Sequence, residues 1–202
     1  MSARLSGGNP SHQKYAMDIT ETLCIANRNE WRDWLEKHYR SAKEIWLVSY
    51  RKHTGNPSVP YNDAVEEALC FGWIDSIIKK LDEERYAQRY TPRKAKSGYS
   101  QTNKERLKKL IERGKVMAEV LAVLDEIGLE DFEYPADIMA ALQENEQAWK
   151  NFQRYSGSYQ RIRIAYVDVA RDRPGEYEKR LAHLIKMTEQ DKQFGRGIED
   201  YY

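Results

Sequence analysis

The chain has 202 residues and a mass of 23.8 kDa, enough for one sizeable domain or two small ones with a real core. Hydrophobic residues make up 41% and charged residues 32%, and 33 Lys and Arg nearly cancel 32 Asp and Glu, which argues against a disordered or polybasic chain. No apolar run approaches a membrane span, the N-terminus lacks the apolar centre of a signal peptide, and Cys24 and Cys70 are too few for a disulfide framework, so a soluble cytoplasmic protein is expected.

Residues 1–20 carry Gly, Ser, Asn and Pro with little periodicity and read as a flexible tail. Trp31, Trp34 and Leu35 then share one helical face at i, i+3 and i+4. Glu44 to Tyr50 is apolar on alternate and intervening positions, as a strand covered on both sides would be, and Gly55, Asn56, Pro57 and Pro60 close it. A second helix is expected with Asp63 as its cap, Glu66 three residues on, and Val65, Ala68, Leu69, Gly72 and Trp73 as its buried stripe. Ser76–Leu81 and Arg85–Tyr90, separated by three acidic residues, suit a half-exposed hairpin.

Beyond Tyr90 the pattern turns helical. Ser100 or Thr102 opens a helix through Arg113, with Leu107, Leu110 and Ile111 inward and Gly114 as its stop. Val116 to Glu126 reads as a further helix, and Pro135 suits the first position of the next. Three or four more helices follow to Glu189, broken near Asn145, Gly157 and Pro174-Gly175, the last burying Tyr177, Leu181, Leu184 and Ile185. The expected fold class is α+β: a small antiparallel or mixed sheet packed by helices, followed by an all-helical C-terminal part. The expected divisions are a tail at 1–20, an α+β domain at 21–130, a helical domain at 131–190 and a tail at 191–202.

Net charge conceals an asymmetry. Residues 89 to 115 hold ten basic side chains and only Glu105 and Glu112 as acids, a sum of +8, which leaves 23 basic and 30 acidic residues, or −7, in the remainder. Such a block calls for an anionic small molecule or an acidic protein partner, with nucleic acid as an alternative. Its loop, Thr91 to Ser100, runs into a helix N-terminus, whose unpaired amides and positive dipole favour anions. Arg93 offers a two-pronged contact to phosphate or carboxylate, Lys96 a point charge, and Ser97 and Ser100 hydroxyls, unless Ser100 caps its own helix. A solvated basic helix with an ordinary cap is the plainer alternative.

Two segments are recognisable. Glu67-Ala68-Leu69-Cys70-Phe71-Gly72-Trp73-Ile74-Asp75 and Tyr90-Thr91-Pro92-Arg93-Lys94-Ala95-Lys96-Ser97-Gly98-Tyr99-Ser100-Gln101-Thr102-Asn103 resemble the YdeI/OmpD-associated family, also called bacteriocin-protection proteins. The resemblance extends from about Trp31 to about Lys186, more loosely in the helical part through Ala148-Trp149-Lys150-Asn151-Phe152. It implies a small cytoplasmic bacterial protein linked to tolerance of cationic antimicrobial peptides and to envelope stress, in some members through an outer-membrane porin. It supplies no agreed catalytic residues. Ser76 and Tyr99 stand where the family usually has Gly and Trp.

The candidate ligand-binding set is Trp73, Asp75, Arg93, Lys96, Ser97, Ser100 and Asn103. Asp75 would orient Arg93 or act as a base, and Trp73 would stack on a flat ligand, against the plainer roles of a structural ion pair and core packing. Asn103 is a polar site residue or a local backbone partner. Cys70 has no histidine placed beside it by sequence and reads as a structural thiol, and the histidines lack metal-ligand spacing, so neither metal nor cofactor is expected. Phosphate-loop, dinucleotide and nucleophile-elbow fingerprints do not occur. A non-enzymatic binding protein is favoured over an enzyme acting on a phosphorylated or carboxylated small molecule.

Overall fold

Asn27 starts the first helix: its side chain accepts the amides of Asn29 and Glu30, so α1 (Arg28–His38) begins with two of its orphan donors satisfied. The computed structural model describes residues 18–94, 97–125, 129 and 132–195. Trp31 and Leu35 of α1 are buried, with Trp34 half-buried beside them, as their spacing requires. In α2 (Tyr61–Cys70) the expected cap fails. The helix starts at Tyr61 after Pro60, which places Asp63 inside the first turn, 3.1 Å from Arg28. Proline pre-sets the backbone for a helix start, and Asp63 is drawn to the cation on α1 instead. Glu67, 1% exposed, is held by both Arg28 and Arg32, and Trp31 Nε1 donates to Ala64 O at 3.0 Å, so α1 is fastened to α2 by charge and by packing.

The sheet has four strands, β1 (Thr22–Cys24), β2 (Ile45–Tyr50), β3 (Trp73–Lys80) and β4 (Arg85–Pro92), in the order β1-β2-β4-β3. β1 runs parallel to β2 and the other pairs are antiparallel, so the sheet is mixed. Three-residue β1 has too short a run for any alternation to show in sequence. β2 is covered on both faces as expected: Ile45 and Leu47 pack under the helices, while Trp46 and Val48 join Ala87 on the other side. The hairpin differs from its half-exposed reading, because β4 lies between β2 and β3 and buries Ala87, Gln88 and Tyr90. β3 begins at Trp73, three residues earlier than expected. Gly72, at φ +71°, turns the chain out of α2, so Trp73 belongs to the strand and not to the helix stripe.

Helices α3 (Gln101–Glu112) and α4 (Ala118–Asp125) add Leu107, Leu110, Val120 and Leu124 to the core beneath the sheet, with Val116 from the link between them. Ser100 caps α3, and Gly114, at φ +64°, ends it. The seam expected near residue 130 falls at residues outside those described. Pro135 precedes α5 (Ala136–Gln143) as its cap, one position earlier than expected. Then come α6 (Glu146–Phe152), α7 (Gly157–Asp168) and α8 (Glu176–Glu189), started by Asn145, Ser156 and Gly175. Their shared core is Ile138, Leu142, Phe152, Ile164, Val167 and Leu184. Residues 191–195, read as tail, pack back here: the Phe194 amide donates to Tyr159 Oη at 3.2 Å. Across the molecule, the Arg161 guanidinium of α7 grips Glu105 of α3 with two bonds of 2.7 Å. Among the described residues no helix is long and apolar enough to cross a membrane.

Candidate functional site

The loop after β4 is built around Arg93. Its Nη2 donates to Ser97 O at 3.1 Å, Ser97 Oγ at 3.3 Å and Gly98 O at 2.7 Å, and its guanidinium lies 3.7 Å over the Tyr99 ring. Desolvation lowers the pKa of Arg93, though a guanidinium stays charged. Ser97 Oγ in turn donates to Lys94 O at 2.8 Å. Both residues therefore tie the loop together, and neither meets Asp75. Lys96 lies outside the described residues. Trp73 is 1% exposed, donates through Nε1 to Tyr39 O at 3.1 Å and meets Trp34 edge-on at 5.8 Å. Its ring is part of the core.

The other three candidates converge. Asp75, Ser100 and Asn103 line one cavity of about 340 Å³ with Tyr61, Thr102, Arg106 and Arg163. Ser100 Oγ accepts the Asn103 amide at 3.3 Å, so it does cap its own helix. Asn103 Oδ1 accepts Arg106 Nη1 at 3.0 Å, while Asn62 Oδ1 accepts Nη2 at 2.8 Å. Arg106 is only 3% exposed, and two neutral amides aim its fork from opposite helices. Asp75 Oδ2 accepts Gln88 Nε2 at 2.7 Å and Tyr61 Oη at 3.2 Å. Desolvation, then the charge of Asp75, push the Tyr61 phenol up to about 12, so it remains a donor at neutral pH. α3 contributes more than side chains: the amides of Gln101 and Thr102 open the helix with no acceptor among the described residues.

A second cavity of about 480 Å³ shares Ser100, Thr102 and Arg163 with the first and continues between α3 and α7 past Tyr99, Ile162 and Tyr166. The start of α3 is thus the floor of one cleft between the sheet-bearing half and the helical half. A hollow of about 510 Å³ over Glu144, Asn145, Glu146, Gln147 and Lys150 holds two acids and one lysine and brings no guanidinium to its wall. Among the described residues no group of three or more His, Cys, Asp or Glu is arranged to hold a metal ion.

Residues that sequence reasoning passed over complete the site. Arg106 was visible only as one cation of the basic block, although its i+3 spacing from Asn103 puts the two on one face. Tyr61 carried no signal. Arg163 comes from α7, whose approach to α3 no local pattern reveals. The basic block itself is divided: Arg89 pairs with Glu44, Arg93 turns into its loop and Arg106 is buried, so the ten cations do not form one flat face.

Comparison with known proteins gives two family matches. Residues 23–123 match a family described as a domain of unknown function (DUF8412), and residues 131–191 match the family described as bacteriocin-protection, YdeI or OmpD-associated. The two segments that prompted the resemblance lie in the first match, whereas the YdeI/OmpD-associated match covers the helical part. Neither the search of curated proteins nor that of solved structures finds a match.

Proposed function

Because the chain belongs, through residues 23–123, to that family of domains of unknown function and carries a YdeI/OmpD-associated domain at 131–191, we propose that it is a non-enzymatic binding protein for a small phosphate- or carboxylate-bearing ligand. The observation that carries this reading is the convergence of Arg106, Arg163 and the residues at the start of α3, Ser100, Thr102 and Asn103, on one cavity. A guanidinium held by two amide oxygens is pre-oriented, which lowers the ordering cost of binding an anion. The description of the helical domain's family supports a role in tolerance of bacteriocins, with the ligand or an acidic partner as the point of control. Residence in the cytoplasm belongs to the same proposal, supported by Cys24 and Cys70 both being free thiols.

The test is thermal stabilisation by inorganic phosphate against chloride at matched ionic strength. A ligand that binds only the folded chain raises its stability by mass action. Arg106→Gln should abolish the phosphate-dependent rise, and Thr102→Val, which keeps the fold of α3, should reduce it. No rise in the unsubstituted protein, or an equal rise in both variants, refutes the reading.

A further inference from the structure

An anion site is expected to keep carboxylates away, yet Asp75 faces the same cavity as Arg106 and Arg163. It is half-buried, and Tyr61 and Gln88 both donate to its Oδ2. Among the described residues Oδ1 accepts no hydrogen bond, and the carboxylate has no ion-pair partner. Arg106 lines the same cavity without forming an ion pair with Asp75, its Nη1 and Nη2 donating to Asn103 and Asn62. Both charges nevertheless act on Tyr61, Asp75 raising and Arg106 lowering its pKa, so they share one neighbourhood. A carboxylate held apart from a guanidinium in a space of about 340 Å³ is a fixed dipole with one open acceptor.

A purely anionic ligand would leave that acceptor unsatisfied and be repelled by it, whereas a ligand with a donor at one end satisfies both walls. We infer that the ligand is a small zwitterion, carrying an ammonium or similar N–H group a few bonds from its phosphate or carboxylate, with the N–H end on Asp75 Oδ1 and the anionic end at the start of α3. This rests on the anion-binding reading above and specifies its ligand class.

The experiment is calorimetric titration of the full chain with phosphoethanolamine and with ethyl phosphate, which has the same two-carbon chain but lacks the amine. Phosphoethanolamine should bind about tenfold tighter, the scale of one charge-assisted hydrogen bond. Asp75→Asn keeps an acceptor for Tyr61 and Gln88 but removes the charge, and should erase the preference while leaving ethyl phosphate bound at least as well. Ethyl phosphate binding without any preference for the amine in the unsubstituted protein overturns the zwitterion inference alone. A preference that survives in Asp75→Asn does the same. Binding of neither compound overturns the inference and the anion-binding reading together. Should Asp75→Asn not fold, the comparison in the unsubstituted protein still decides the matter.

Discussion

Replacing Glu105 with Ala removes the carboxylate that joins α3 to α7. Glu105 is 2% exposed, and it receives two bonds of 2.7 Å from Arg161 and a third of 2.7 Å from Gln101. Breaking a buried pair costs about 3–5 kcal/mol because the surviving charge loses its partner. Here the survivor is Arg161, whose side chain is 24% exposed, so water recovers part of that cost. The expected loss is about 2–3 kcal/mol, which for a chain of this size lowers Tm by roughly 5–10 °C. Urea unfolding followed by tryptophan fluorescence measures it. A double-mutant cycle with Arg161→Ala should show strong coupling, since each single change already forfeits the pair. A loss below about 0.5 kcal/mol, or additive costs in the double variant, would refute the reasoning. The pair also dictates an acid response. Burial raises the Glu105 carboxyl, but the bonds from Arg161 and Gln101 outweigh it, and the net pKa is lowered. A lowered folded pKa gives stability that is present above the unfolded value near 4.3 and lost as pH falls through the folded one. Acid unfolding of Glu105→Ala should therefore begin from a lower plateau and fall less steeply below about pH 4.

Further outcomes test other parts of the structure. Gly72→Ala should cost about 1–2 kcal/mol in urea unfolding, because φ is +71° and the added methyl would meet Val120 Cγ2 at 3.3 Å; an unchanged midpoint contradicts the turn geometry. Burial, then the charge of Glu67, push the Cys70 thiol up to about 11, while Cys24 is exposed. Mass spectrometry after native alkylation at neutral pH should show one adduct, at Cys24, and a second only after unfolding; rapid double labelling would contradict the burial.

Much of the fold lies in local pattern. Trp31, Trp34 and Leu35 define a helix face by spacing alone, and Ile45 to Val48 declare a strand covered on both sides, because burial on a regular element imposes its period on the sequence. Caps were legible where the side chain acts on its own helix, as Ser100 does, and misleading at Asp63, where a cation on another helix claims the carboxylate. Of the candidate site, Ser100 and Asn103 stand out beside a helix start and Asp75 where a helix passes into a strand, and the three line one cavity. Arg93 and Ser97 stand out as anion contacts of the basic loop, yet backbone acceptors within that loop engage them.

Sequence alone determined the longer helices and strands, the fold class and the existence of a basic block, since each depends on neighbours a few positions apart. Only the tertiary structure decided which of those cations face a cavity. The docking of α7 on α3 through Arg161 and Glu105 brings Arg163 to the start of α3, and the order of strands sets Asp75 opposite Arg106. Those placements depend on contacts across tens of residues, and long-range packing leaves no periodic trace in a single chain.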